Sequence, residues 1–117
     1  MPDISLSLRV LGYLDEDGLW AAHCLETDLV GFGSSFEKAL DDLNDLTVLQ
    51  VGLAVFKKQP SLLDHPAPSW VIETYSNLLL ATLRNYPQAP KEPRHAIGNI
   101  TMPKSPKKPS NFVLAGA

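Results

Sequence analysis

His23 and Cys24 are adjacent residues whose side chains could do acid–base, nucleophilic or metal-binding chemistry. A nucleophilic thiol needs a base beside it, and a zinc site needs several further ligands. Neighbours on a strand point to opposite faces, so these two side chains cannot act on one ligand. Cys24 is the only cysteine of the chain, and no two histidines are closely spaced. The sequence therefore predicts a packed cysteine and a histidine at the rim of the core.

Three aspartates, Asp41, Asp42 and Asp45, form the second cluster with chemical potential. Asp41 and Asp45 share one helical face because they are four residues apart. Acid–base catalysis needs a carboxyl group whose pKa is shifted by burial or by a neighbouring charge, and a solvated helix face shifts it little. We expect these carboxylates to solubilise the domain or to bind a basic partner, because an acidic surface steers basic partners over long range.

Two glycine-containing segments have a partial similarity to ligand-binding loops. Residues 15–18 (Asp-Glu-Asp-Gly) begin like a calcium loop but lack its later acids and its final glutamate, which favours a hairpin turn. Residues 31–33 (Gly-Phe-Gly) precede a helix, but Phe36 replaces the glycine that a phosphate-binding fingerprint requires. The sequence therefore predicts no catalytic residue, no metal ligand and no cofactor, and indicates that the protein is not an enzyme.

The hydrophobic pattern predicts the elements that position these residues. Apolar and polar residues alternate over residues 4–10, Tyr13 and Leu14 extend this run, and a second apolar run covers residues 19–25. With the acidic turn between them, these runs predict an antiparallel hairpin. Residues 29–33 predict a third strand with glycines at a bend or bulge.

A long helix is predicted to begin at Ser34, because Ser34 and Glu37 fit a capping box. Apolar residues then recur on one face at helical spacing: Phe36, Ala39, Leu40, Leu43 and Leu46. Over residues 48–56 the apolar side chains surround most of the helix, and such a helix must be buried on all sides. One small sheet cannot provide that burial, so we expect this half to pack against another helix or another subunit.

A second helix is predicted to begin at Ser69, while a strand over residues 70–75 is the alternative because Trp, Val, Ile, Thr and Tyr favour strands. A monomer core and an oligomer interface compete to explain the apolar residues of the two helices. We favour a homo-oligomer, whose interface comprises Val48, Val51, Val55, Phe56, Trp70 and Tyr75.

Charge and proline are divided unevenly along the chain. Residues 1–83 hold 12 acids and four Lys or Arg, whereas residues 84–117 hold one acid and six Lys or Arg. Six of the ten prolines lie between Pro87 and Pro109, where they remove backbone donors. Residues 86–117 are therefore predicted to be an extended basic tail, and residues 111–117 either a short strand or irregular. The tail cations could stay solvated, bind nucleic acid or dock on the acidic body: Arg84, Lys91, Arg94, Lys104, Lys107 and Lys108.

The composition supports one globular domain. The chain has 117 residues, of which 44% are hydrophobic and 20% charged, enough for one modest core. No long apolar run and no secretory leader pattern is present, which indicates a cytoplasmic protein without membrane contact. We predict an α+β fold: a three-stranded antiparallel sheet packed on one long helix, then a second helix, all within residues 1–85, followed by the Pro-rich tail.

Two segments resemble the HicB-like family. Residues 17–25 (Asp-Gly-Leu-Trp-Ala-Ala-His-Cys-Leu) are similar to its acidic-Gly turn and aromatic-x-Ala strand. Residues 33–40 (Gly-Ser-Ser-Phe-Glu-Lys-Ala-Leu) are similar to its Gly-polar-Ser/Thr-x-Glu-x-Ala-Leu helix start. The resemblance covers residues 6–50 and implies a partial RNase H topology of the kind found in double-stranded-RNA-binding domains.

The resemblance also implies a function. HicB proteins are antitoxins that bind and block HicA, a small ribonuclease toxin, and many carry a C-terminal operator-binding module. Residues 84–117 are too rich in proline for such a module, and residues 61–75 resemble solitary HicB-like proteins. The expected function is thus sequestration of a HicA-like toxin. The alternative is a solitary HicB-like oligomer whose basic tail binds nucleic acid.

Overall fold

A computed structural model describes residues 6–85, 94–102 and 112–115. The α+β class is confirmed. A short 3-10 helix (Pro60–Leu63) connects the two α-helices. The elements are β1 (Leu6–Leu14), β2 (Trp20–Cys24), β3 (Val30–Gly33), α1 (Phe36–Lys57), α2 (Ser69–Asn85), β4 (His95–Met102) and β5 (Phe112–Ala115). All strand pairs are antiparallel, in the order β3-β2-β1-β4-β5.

The predicted hairpin of β1 and β2 is confirmed, and its turn uses the acidic residues structurally. One carboxylate oxygen of Asp15 accepts hydrogen bonds from the backbone N–H groups of Asp17 at 2.9 Å and Leu19 at 2.8 Å. Gly18 has a φ of 81°, which glycine adopts without a steric penalty. The Asp15 side chain therefore forms an Asx-type turn.

Helix α1 begins one residue later than the capping box predicts. The N-cap is Ser35, whose hydroxyl accepts a hydrogen bond from the backbone N–H of Lys38 at 3.2 Å. The helix continues through Gly52 to Lys57, and its C-cap residue Lys58 has a φ of 53°. The backbone N–H of Gln59 then donates to the carbonyl of Ala54 at 2.9 Å, which satisfies one of the last carbonyls of the helix.

Helix α1 covers one face of the sheet and lies directly on β3. A Cβ atom added to Gly31 would be 2.4 Å from the backbone nitrogen of Leu43 and 2.6 Å from the carbonyl oxygen of Ala39. Only glycine permits this approach. The core on this side consists of Val10, Ala22, Cys24, Phe36, Ala39, Leu40, Leu43, Ala96 and Ile100.

Residues 69–85 form a helix, so the strand alternative for residues 70–75 is wrong. Helix α2 covers the face of the sheet opposite to α1. Adjacent residues on a strand point to opposite faces, so Val10 of β1 packs beneath α1 while Leu11 packs beneath α2. There Leu11 and Leu25 pack with Ala67 and Val71 in a smaller core. The carbonyl of Leu25 also accepts a hydrogen bond from the backbone N–H of Ala67 at 2.8 Å.

The prediction of a three-stranded sheet is wrong, because the sheet has five strands. The two additional strands lie in the segment predicted as an extended tail, where the alternative of a short strand within residues 111–117 is confirmed by β5. Apart from Arg94, the rest of the predicted tail lies outside the described residues. Strand β4 pairs along its whole length with β1, from Leu6 to Tyr13, and so lies inside the sheet, and β5 forms the edge. Each proline in this region lies either at or before residue 93 or at or after residue 103. Residues 94–102 contain no proline, so each of them has a backbone N–H group that can donate a hydrogen bond. Ala96, Ile97 and Ile100 of this segment are buried.

No helix in the described part of the chain is both long and apolar enough to cross a membrane.

Candidate functional site

Cys24 and His23 point to opposite faces of the sheet, as predicted. Cys24 is fully buried in the core beneath α1. Burial raises the pKa of its thiol, because the thiolate would lose its hydration. A buried thiol held in its protonated form is a poor nucleophile, so Cys24 acts as a small core residue.

The prediction that His23 lies at the rim of the core is wrong. Its side chain is 7% exposed, and its Nε2 lies 2.6 Å from Oδ1 of Asp28. A carboxylate only accepts hydrogen bonds, so Nε2 carries the proton and Nδ1 can accept one from the Tyr13 hydroxyl, 3.2 Å away. The ring of Trp70 meets His23 edge-on at 6.0 Å. This arrangement joins β1, β2, the loop after β2 and α2.

The hydrogen bonds from Tyr13 through His23 to Asp28, which we call the relay, connect β1, β2 and the loop after β2. The pKa of the Tyr13 phenol is raised, mainly by burial and further by the negative charges of Asp28 and Asp15. The phenol therefore stays protonated at neutral pH, and both ring nitrogens of His23 are already engaged. Among the described residues, no group of three His, Cys, Asp or Glu side chains could hold a metal ion.

Substitution of Asp28 tests this relay. Asp28 has a φ of 59°, where alanine is strained and asparagine is tolerated. Asp28→Ala should lower the free energy of unfolding by about 2–3 kcal/mol, because it also leaves the buried Nε2 of His23 without an acceptor. Asp28→Asn keeps an acceptor oxygen and should cost less than about 1 kcal/mol. Urea unfolding compares the two variants, and equal losses would contradict a role for the hydrogen bond.

His95 provides a pH-dependent contribution to stability. It pairs with Tyr13 across β1 and β4, and its Nδ1 is buried without a partner in the described part of the chain. Burial lowers the pKa of His95 below 6.5, with a further contribution from the nearby positive charge of Arg94. As the pH falls below 6.5, His95 is therefore protonated in the unfolded chain before it is protonated in the folded protein.

The free energy of unfolding should fall as the pH is lowered from about 6.5 through the depressed pKa of His95. The change is measured by urea titrations at several pH values. His95→Gln should flatten the curve in this window, because glutamine does not titrate. A curve of unchanged slope in the variant would assign the effect to other groups.

The predicted acidic surface is present on the outward side of α1. Asp41, Asp42 and Asp45 are all exposed. Glu37 is exposed as well, so Glu37, Asp41 and Asp45 form a column at intervals of four residues, which we call the acidic column. Asp42 also has a structural role, because its Oδ2 accepts a hydrogen bond from the backbone N–H of Phe32 at 2.9 Å. That contact blocks one free donor on the edge strand β3.

The last turns of α1 carry exposed apolar side chains. Leu49 is 70% exposed, Val55 72% and Phe56 85%. We call these residues, together with Val48 and Leu53, the apolar stripe. Across these turns the helix buries Ala54, while Val51 is half-buried. We predicted an external partner for this half of the helix, and most of its apolar side chains are not covered by the described part of the chain.

Trp70 and Tyr75 do not join the apolar stripe. Helix α2 packs on the opposite face of the sheet from α1, where Tyr75 is half-buried against the smaller core. Trp70 is 51% exposed and meets the Tyr13 ring edge-on at 5.6 Å. The residues that we grouped as one oligomer interface therefore divide between two surfaces of the molecule.

Two of the predicted tail cations can be placed. Arg84 is exposed near the end of α2, and Arg94 is exposed immediately before β4. Lys91, Lys104, Lys107 and Lys108 lie outside the described residues. The nucleic-acid interpretation of this region stays a prediction.

Sequence reasoning missed the relay because its members come together only through sheet register. Tyr13 lies opposite Ala21 on β2, which places its side chain diagonally beside His23 on the same face. The one local signal was Asp28, five residues after His23, in a loop that returns the chain to the sheet. Asp is also among the residues that accept a positive φ.

Comparisons of the chain with models of protein families, with curated proteins and with solved structures find no match. The two surfaces of α1 are therefore interpreted from their own residues and exposure.

Proposed function

We propose that this chain is a non-enzymatic binding and regulatory protein of the HicB-like, antitoxin type. In this proposal it sequesters a small basic ribonuclease of the HicA type in the cytoplasm. The observation that carries the proposal is the acidic column, which presents three carboxylates along two turns of one rigid helix. Such a column increases the association rate with a basic partner and orients that partner. A flexible acidic loop would orient the partner less well.

The order of elements supports the same proposal. Three antiparallel strands followed by a long helix are what the HicB-like resemblance implies for residues 6–50, and β1, β2, β3 and α1 have that arrangement. The helix is held firmly, because Gly31 allows its backbone to touch β3 and Ser35 caps its first turn. The carboxylates therefore project from a fixed scaffold, which limits the entropy lost on binding.

The proposal is tested by affinity capture from lysate of the native host, after nuclease treatment, with mass spectrometry of the retained proteins. The full chain should retain a small basic protein whose ribonuclease activity is suppressed while it is bound. Asp41→Lys should lower the association rate about tenfold and make it less dependent on salt, because the substitution reverses a charge in the middle of the column.

The matched control is Asp17→Lys, which reverses an exposed charge in the β1–β2 turn. It changes the net charge equally and should leave capture by α1 largely intact. Asp42 is unsuitable as a test because its carboxylate also binds β3. Equal capture by the Asp41 variant and the native chain would refute docking on α1. Partners that disappear entirely on nuclease treatment would favour nucleic-acid binding instead.

A further inference from the structure

The outward side of α1 has a sequence pattern that fits a contact between helices. Asp45, Leu49, Gly52 and Phe56 are spaced four, three and four residues apart, which is the spacing of a helix-pairing seam. All four are exposed. The other members of the apolar stripe flank this seam, so the surface is wide enough to receive a second helix.

Charged residues lie before and after the apolar part of the seam along the chain. Asp45 precedes the apolar stripe, whereas Lys57 and Lys58 follow it, and all three are exposed. The distance along the helix axis from Asp45 to Lys57 is about 18 Å, at 1.5 Å per residue. The surface is therefore acidic at one end, apolar in the middle and basic at the other end.

We propose that the apolar stripe binds the same stripe of a second copy of this chain, with the two α1 helices antiparallel. A two-fold contact places each surface against itself in reverse, so Asp45 of each copy lies beside Lys57 and Lys58 of the other. Parallel helices would instead place acid against acid and base against base. The apolar residues of the two stripes leave water together, which supplies the main driving force.

Gly52 lies near the point where the two helices cross. A Cβ atom added to Gly52 would meet no atom of its own chain within 4 Å, so its surface is open to the second copy. The absence of a side chain lets two helix backbones approach closely at the crossing. This contact goes beyond the proposed sequestration, because it needs no basic partner, although it shares Asp45 with the acidic column.

The first test measures self-association of the full chain by sedimentation equilibrium over a range of concentrations. The native chain should form a dimer, and Leu49→Ser should raise its dissociation constant about 30-fold or more. Leu83→Ser is the matched control, because Leu83 on α2 is also 70% exposed and lies outside the stripe. A native chain that stays monomeric throughout, or equal effects of the two substitutions, would overturn the proposal.

The second test determines the direction of the helices. Asp45→Lys alone should weaken the dimer at least about fivefold, as should Lys57→Glu with Lys58→Glu, because each change places like charges together. Combining all three substitutions should restore the dimer, because each charge pair is then reversed. Failure of the combined variant to regain affinity would overturn the antiparallel arrangement.

Cross-linking provides an independent readout of the same arrangement. A single cysteine introduced as Gly52→Cys should form a disulfide with its own copy under mild oxidation, because residues near a two-fold axis meet themselves. Asp45→Cys and Phe56→Cys should not, because antiparallel helices separate these positions. Native Cys24 is buried and should not interfere. Equal cross-linking at all three positions would show parallel helices and overturn the proposal.

Discussion

Replacing Gly31 with alanine should destabilise the protein by about 3 kcal/mol or more, at the upper end of what overpacking costs. The added Cβ atom would lie 2.4 Å from the backbone nitrogen and 2.8 Å from the Cα atom of Leu43, and 2.6 Å from the Ala39 carbonyl oxygen. These are backbone atoms of α1 and cannot rotate away. The helix would have to move off β3 and so open the core around Leu40.

The effect of Gly31→Ala is measured by chemical denaturation of dilute protein, with Gly52→Ala as the matched control. Both substitutions add one methyl group. Gly52 has no atom within 4 Å of the added position, and alanine favours the helix by about 0.5–1 kcal/mol. The control should therefore be as stable as the native chain or more so. A small loss for Gly31→Ala would mean that α1 does not contact β3 closely.

Ending the chain after Asn85 should abolish cooperative folding. This truncation removes β4, which pairs with β1 from Leu6 to Tyr13. It also removes Ala96 and Ile100 from the core beneath α1. The truncated chain would expose a long unpaired edge of β1, which favours aggregation.

The matched control ends the chain after Met102, which keeps β4 and removes only the four-residue edge strand β5 among the described elements. This shorter truncation should retain a cooperative unfolding transition with a lower midpoint. Circular dichroism and urea titration compare the two chains. Cooperative unfolding of the chain that ends at Asn85 would contradict the central position of β4.

Local sequence patterns were sufficient for the first hairpin, for both helices and for the exposed half of α1. The alternation before the turn at residues 15–18 and the helical spacing of Ala39, Leu40 and Leu43 depend only on near neighbours. The apolar residues around Leu49 and Phe56 predicted a partner from their number alone, and the structure leaves these two side chains uncovered.

Features that depend on distant pairing could not be predicted in this way. Strand β4 pairs with β1, which lies far from it in the sequence. Prolines precede and follow β4, and their density concealed the proline-free segment between them. The partners of His23 became evident only when sheet register placed Tyr13 beside it and the loop returned Asp28. The approach of Gly31 to α1 likewise depends on packing between elements.

The position of β4 has a consequence for how the protein is made. During synthesis the chain leaves the ribosome from its N-terminus, so the first three strands and both helices emerge before residue 95. Until β4 arrives, the nascent chain displays the open side of β1 and the surface that Ile100 will cover. Chaperones that bind unpaired strands should therefore engage the nascent chain until β4 has emerged and paired with β1. The sheet can close only after residues 95–102 have left the ribosome.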